Sequence, residues 1–222
     1  MKLLFVLTSH ATLGNTGKQT GFHFSEMAEP YAYLKDQGYD IDFVSPQGGA
    51  VPVTGYDEAD PLQRQLKNDP ELQQKLRTTH TPNEVNPRDY QAIYYVGGHG
   101  VMWDFADNQA LALMTATMYE DGKVVAAVCH GPAGLVNVKL SNGEYLVAGK
   151  RIAAFSDDEE RAIGLEGIVP FMLETTLTAH GAKYTKAPLW QENVEVDERV
   201  VTGQNPASAL GVAKAIDSLL KA

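Results

Sequence analysis

The sequence of 222 residues has one cysteine and no long apolar run. A single cysteine cannot form an internal disulfide, so the cytoplasm is the expected compartment. The apolar stretch at residues 3–7 is too short for a signal peptide or a membrane span and is better interpreted as a buried strand. These absences predict a soluble cytoplasmic protein with one free thiol and no membrane partner.

Positive charge is scarce. The chain has 18 lysines and arginines against 28 aspartates and glutamates, a formal net charge of −10. Nucleic acid phosphates and anionic lipids would be repelled by such a protein, and no basic patch stands out in the sequence. We therefore expect neither as a partner, whereas a small neutral electrophile is indifferent to the charge.

Motifs for nucleotides and metals are also missing. Residues 14–20 follow the first strand, but they do not fit a phosphate-binding loop. Thr12 stands where that loop needs glycine, and Gln19 stands where it needs Ser or Thr. The dinucleotide pattern G-x-G-x-x-G does not occur. The six histidines lack cysteine partners and the close carboxylate spacing of metal sites. The sequence therefore predicts no cofactor and no metal.

Apolar runs bounded by turn residues alternate with helical stretches along the chain. This pattern predicts an α/β fold with a mostly parallel sheet between helices, and the length fits a single domain over residues 1–222. The predicted strands are 3–8, 41–45, 92–96, 124–128 and 152–155. The predicted helices are 21–37, 108–120, 132–138, 169–180 and 206–220. A helical excursion is expected at about 54–87, and a hairpin at the sheet edge over 193–202.

The segment 123–134 reads K-V-V-A-A-V-C-H-G-P-A-G. An apolar strand ends at Cys129, and Pro132 suits the first turn of a following helix. This is the cysteine counterpart of a nucleophile elbow, and the helix N-terminus is expected to lower the pKa of the thiol. A buried structural cysteine is the alternative. The combination of strand, turn and helix favours a nucleophile.

Two further segments supply candidate groups. His130 is a candidate base, although a histidine beside a nucleophile can also be simply exposed. The glycine-rich turn 97–100 follows another strand, so the N–H groups of Gly98 and His130 are expected to form an oxyanion hole, with a plain loop as the alternative. Glu26 lies in a predicted helix where Pro30 cannot donate to its carbonyl. Spacing alone leaves Glu26 a solvated glutamate.

These segments together resemble the ThiJ/PfpI superfamily, whose members share the flavodoxin-like core of class I glutamine amidotransferases. The resemblance runs through residues 3–8, 21–30, 42–46, 97–100, 127–132 and 201–208. The excursion before Asp89 and the segment 149–152 are most similar to the branch of heat-shock chaperones and glyoxalase III proteins. This resemblance implies a homodimer. The metal-binding insertion of the larger chaperones is not found.

The resemblance also implies site residues. The branch has a Cys-His-acid triad and a glutamate that contacts the thiol, which by motif are Cys129, His130 and Glu26. The third member lies in the acidic run 156–160, where Glu160 is the best match and Asp157 the next. The other carboxylates of such a run are expected on a solvated face.

The leading functional hypothesis is conversion of methylglyoxal to D-lactate without glutathione, with a stress-protective role. The thiol would attack the aldehyde, a proton would move between the two carbons, and water would release the acid. A cysteine amidohydrolase, peptidase or deglycase is the main alternative, because the same groups support acyl transfer. A non-enzymatic chaperone or a redox sensor using Cys129 is the other. Fold alone cannot choose among them.

Overall fold

A computed structural model describes all residues, 1–222. Its centre is a six-stranded sheet in the order β3-β1-β5-β6-β10-β9, in which only the β9–β10 pair is antiparallel. Two-stranded parallel pairs, β2–β4 and β7–β8, lie outside it. The strands are β1 (Lys2–Val6), β2 (Phe22–His23), β3 (Asp40–Val44), β4 (Val53–Thr54), β5 (Ala92–Tyr95), β6 (Val124–Val128), β7 (Arg151–Ile152), β8 (Lys183–Tyr184), β9 (Val194–Asp197) and β10 (Val200–Gly203).

The helices cover both faces of this sheet. They are α1 (Phe24–Asp36), α2 (Pro61–Lys67), α3 (Pro70–Arg77), α4 (Val101–Asp104), α5 (Gln109–Glu120), α6 (Asp157–Ala162), α7 (Leu173–Ala179) and α8 (Ala209–Lys221). Short 3-10 helices occupy Pro82–Glu84, Pro87–Asp89, Gly131–Gly134 and Pro206–Ser208. No helix is both long enough and apolar enough to cross a membrane.

The sheet divides the interior into two apolar clusters of 29 and 28 buried residues. Clusters of nearly equal size show that both faces are covered, as a parallel sheet requires. Strand β6 is buried at every position, which explains its unbroken apolar sequence V-V-A-A-V. The predicted α/β fold class is confirmed, as are four of the predicted strands and the hairpin at the sheet edge.

Local sequence explains the helices between β4 and β5. Helices α2 and α3 both begin with an aspartate followed by proline. The side chains of Asp60 and Asp69 accept hydrogen bonds from backbone N–H groups in the first turn of their helices, and Pro61 and Pro70 occupy the first helical position. This combination fixes a helix start, because proline has no N–H to leave unpaired there.

The helix predicted over 169–180 begins only at Leu173, and two other predicted elements differ more from the structure. The segment predicted as a helix over 132–138 is only the 3-10 helix Gly131–Gly134, whose glycines pack against Tyr95: a Cβ on Gly131 would lie 2.3 Å from the Tyr95 carbonyl oxygen. The strand predicted at 152–155 ends at Ile152 and pairs with β8. Beyond it, Phe155 N–H donates to the Cys129 carbonyl, a tertiary contact that replaces a regular ladder.

Candidate active site

Cys129 lies at a strained turn where β6 ends. Its φ of +59° is in the left-handed region, which is uncommon for a residue with a side chain. Hydrogen bonds hold the turn from both sides: Cys129 N–H donates to the Gly203 carbonyl over 2.9 Å, and its own carbonyl accepts from Phe155 N–H over 2.8 Å. The side chain is buried, with 3% of the residue exposed.

Glu26 reaches the thiol from the first turn of α1. The residue is fully buried, and neither carboxyl oxygen makes a hydrogen bond, although the thiol of Cys129 and the N–H of Gly97 lie beside the carboxyl. A Cβ on Gly97 would lie 2.4 Å from Glu26 Oε2 and 2.9 Å from Cys129 Cβ, so this close approach requires glycine. Burial raises the pKa of Glu26 to about 8, only partly offset by these neighbours.

His130 connects the thiol to a carboxylate. Its Nδ1 lies 3.4 Å from Cys129 Sγ, and its Nε2 lies 2.7 Å from Glu160 Oε2. Burial, and then the neighbouring His99, lower the pKa of His130 to about 4, so the ring is neutral at pH 7. The Nε2 proton then faces Glu160, and the Nδ1 lone pair faces the thiol.

Glu160 and Asp157 occupy different positions on α6. Burial alone would raise the pKa of Glu160. Hydrogen bonds from His130 and His99 instead hold this pKa at about 2, so Glu160 is an anion. Asp157 instead accepts a hydrogen bond from Thr175. Of the two carboxylates proposed from sequence, Glu160 is the one that contacts His130.

His99 is a further side chain of this cluster, and the sequence motifs did not indicate it. His99 Nε2 lies 2.9 Å from Glu160 Oε1, and its ring centroid is 4.1 Å from that of His130. The G-H-G sequence by itself predicts only a source of backbone N–H groups. Because β5 and β6 are neighbouring parallel strands, residues just beyond their carboxyl ends meet at one edge of the sheet, and that rule could have indicated His99.

The N–H groups of Gly98 and His130 donate to no backbone carbonyl. Gly98 has a φ of +104° and packs so tightly against the backbone that a Cβ there would lie 2.4 Å from the Gly21 carbonyl oxygen. The N–H of His130 lies against the thiol and favours its charged form. Their joint role as an oxyanion hole stays a prediction.

The expected low pKa of the Cys129 thiol is wrong. Burial first, and then the charge of Glu26, raise the pKa of Cys129 well above its ordinary value, and the His130 N–H offsets only part of the rise. The following segment is a four-residue 3-10 helix, too short to supply the expected α-helix dipole. The thiol therefore keeps its proton at neutral pH and needs a base when it reacts.

An aromatic wall, Phe155 and Trp190, lies beside the histidine. The Phe155 ring centroid is 4.3 Å from that of His130, and Trp190 lies 5.9 Å from Phe155 on the outer side. Trp190 has a φ of +65°, and its backbone N–H donates to the buried carboxylate of Glu159. The wall is thus fixed by the same helix that carries Glu160.

A model described as the DJ-1/PfpI family matches residues 18–163. The chain belongs to this family. Among its relatives, the glutathione-independent glyoxalase HSP31 of Saccharomyces cerevisiae is 35% identical over 98% of each chain. Glyoxalase 3 of Candida albicans is 30% identical over 96% of each chain.

Two solved structures also resemble this fold over nearly its whole length. The Rapid Encystment Protein 24 KDa of Francisella tularensis superposes with a TM-score of 0.95 at 38% identity, covering 99% of this chain and 98% of that one. Glyoxalase III of Candida albicans superposes with a TM-score of 0.90 at 28% identity, covering 99% and 97%. The family resemblance seen in the sequence is confirmed over the full length of the fold.

Proposed function

We propose that this protein converts methylglyoxal to D-lactate without glutathione, with Cys129 as nucleophile. The observation that carries the proposal is the line of contacts from Cys129 Sγ through the His130 ring to Glu160, at 3.4 and 2.7 Å. A thiol, a neutral base and a buried carboxyl group meet there. Relatives of this chain that bear the name glyoxalase support the same activity.

The first step would form a hemithioacetal. The Cys129 thiol is protonated, so His130 Nδ1 would take its proton as Sγ attacks the aldehyde carbon and would pass it to the carbonyl oxygen. The N–H groups of Gly98 and His130 would donate to that oxygen while its charge develops. Glu160 would stabilise the imidazolium that forms in between.

The second step would move hydrogen between the two carbons. His130 Nδ1 would remove the proton from C1. Glu26, which holds a proton of its own at neutral pH, would donate that proton to the C2 carbonyl oxygen, giving an enediol. Glu26 would then take the proton of the C1 hydroxyl, and His130 would return its own to C2. The product is a lactoyl thioester on Cys129.

Hydrolysis would complete the reaction. Water, deprotonated by His130, would attack the thioester carbon, and the Cys129 sulfur would leave and recover its proton. The sum is methylglyoxal plus water giving lactate and a proton. No electrons are exchanged with another molecule, so the scheme requires no redox cofactor.

The depth of Cys129 favours a small substrate over a polypeptide. Only 3% of the residue is exposed, and the aromatic wall stands beside its histidine. A peptide bond needs room for chain on both sides of the attacked carbon, whereas methylglyoxal has three carbons. The acyl-transfer alternative therefore fits this site less well.

The proposal is tested with freshly reduced protein, methylglyoxal and no glutathione. We expect methylglyoxal to be consumed and D-lactate to appear in equal amount. Cys129→Ala should abolish turnover, and His80→Gln, which changes an exposed histidine away from the site, should leave it unchanged. Consumption without lactate would mean simple adduct formation and would overturn the proposal.

A further inference from the structure

His99, His130 and Glu160 form a compact group of potential ligands. One ligand atom from each lies within 4.8 Å of the other two. His99 follows β5, His130 follows β6, and Glu160 lies on α6, so the three come from separate segments of the chain. That separation explains why sequence spacing indicated no metal site.

We propose that this group binds a divalent transition metal ion of the zinc type, which reversibly inhibits the enzyme. Two imidazole nitrogens and one carboxylate oxygen suit zinc, whereas magnesium and calcium prefer oxygen alone. Three protein ligands leave the fourth tetrahedral position for water. The two nitrogen-to-oxygen contacts, at 2.7 and 2.9 Å, need to open by roughly 0.5 Å to give zinc bonds of about 2.0 to 2.1 Å.

Access and charge favour the ion. The His99 side chain is 21% exposed, so one residue of the group reaches the protein surface. The helix α6 that carries Glu160 begins with four consecutive acidic residues, so the local field attracts a cation. An ion at this position would also contact the carboxylate that both rings now share.

The proposed inhibition follows from the two nitrogen atoms of the His130 ring, and it rests on the proposed function. Zinc needs the lone pair of His130 Nε2, so the ring proton would move to Nδ1. Nδ1 would then present N–H to Cys129 Sγ and could no longer accept the thiol proton. Removing the ion would restore the tautomer and the activity.

A second zinc position competes with this proposal. Cys129 Sγ and His130 Nδ1 lie 3.4 Å apart beside Glu26, and thiolate is a good zinc ligand. That position is fully buried, however, whereas the group with His99 includes a partly exposed ligand. To bind zinc, the group with His99 needs a change of tautomer in each ring and the opening of roughly 0.5 Å described above.

Zinc binding is measured by competition with a chromophoric chelator, using the full chain. We expect one zinc per chain, bound at least about tenfold more weakly in His99→Gln and in Glu160→Gln. Cys129→Ala and His80→Gln should bind zinc as the wild type does. Thermal unfolding without metal shows which variants are folded. Absence of binding, or loss in Cys129→Ala with retention in His99→Gln, would overturn the proposal.

Turnover measured in parallel separates this proposal from the function itself. Zinc should suppress methylglyoxal turnover in the wild type, and excess chelator should restore it. In His99→Gln, the zinc concentration that halves the remaining activity should rise at least about tenfold. A protein that binds zinc through His99 but never turns over methylglyoxal would refute the proposed function alone. Zinc bound through His99 with undiminished turnover would refute the inhibition.

Discussion

His130 and Glu160 are joined by a 2.7 Å contact between Nε2 and Oε2 inside the protein. This contact fixes which nitrogen of the ring carries the proton, and so leaves Nδ1 free to accept from Cys129. A second histidine, His99, donates to the other oxygen of the same carboxylate. The carboxylate is therefore held from two sides.

Replacing Glu160 with Gln should lower turnover by about 10²- to 10⁴-fold. The amide can turn its NH₂ group toward His130 Nε2, which favours the tautomer with the proton on Nδ1 and removes the base. Asp157→Asn, on the same helix but bonded to Thr175, should reduce turnover far less. Steady-state rates of the two variants make the comparison, and equal losses would mean that α6 matters only as a structural element.

The Cys129 thiol should react with iodoacetamide only at high pH. Because burial and Glu26 raise its pKa, the pH midpoint of labelling is expected above the value of about 8.5 for a free cysteine. In Glu26→Gln the negative charge is gone, so the midpoint should fall. Labelling rates measured by mass spectrometry across pH provide the test. A wild-type midpoint well below 8.5 would show that the thiol is ionised in advance of reaction.

Glu26→Gln should lose about 10²- to 10⁴-fold in methylglyoxal turnover. The amide keeps the shape and a hydrogen-bond donor but has no proton to transfer. Cys129 should still react with iodoacetamide in this variant, which shows that the nucleophile remains in place. If turnover is close to normal, proton transfer belongs to His130 alone and Glu26 serves packing.

Glu26 should also make folding stability depend on pH. Its pKa rises from 4.5 to about 8 in the folded state, so the folded chain keeps a proton that the unfolded chain releases. This contribution is complete below pH 4.5 and is lost as the pH rises through 8. We therefore expect the free energy of unfolding of the wild type, measured with urea, to fall between pH 5 and pH 9 relative to that of Glu26→Gln. If the free energies of unfolding of the two proteins differ by the same amount at both pH values, the raised pKa of Glu26 is contradicted.

The local parts of the site could be predicted from the sequence. Strand β6 is buried throughout, so its apolar run is unbroken, and the residues C-H-G-P after it indicate a tight turn. The predicted helix over 132–138 was wrong because Tyr95, from a neighbouring strand, packs against Gly131 and Gly134. No local pattern reports such a contact.

The thiol pKa could not be predicted for a related reason. A helix N-terminus can be inferred from Pro132, but burial of the sulfur and its contact with Glu26 depend on how α1 and β5 meet β6. The same holds for His99, which joins the cluster only because β5 and β6 are neighbours. Sequence patterns find single residues well and find charge environments poorly.

The position of Trp190 provides an optical signal from the site. The chain has two tryptophans, and Trp190 lies 5.9 Å from Phe155, which itself contacts the His130 ring, whereas Trp103 stacks on His10. The indole of Trp190 is partly exposed, so its emission responds to whatever excludes water or brings a quencher near it. In a Trp103→Phe background, tryptophan fluorescence would then report the binding of a ligand at the aromatic wall, without any label on the protein.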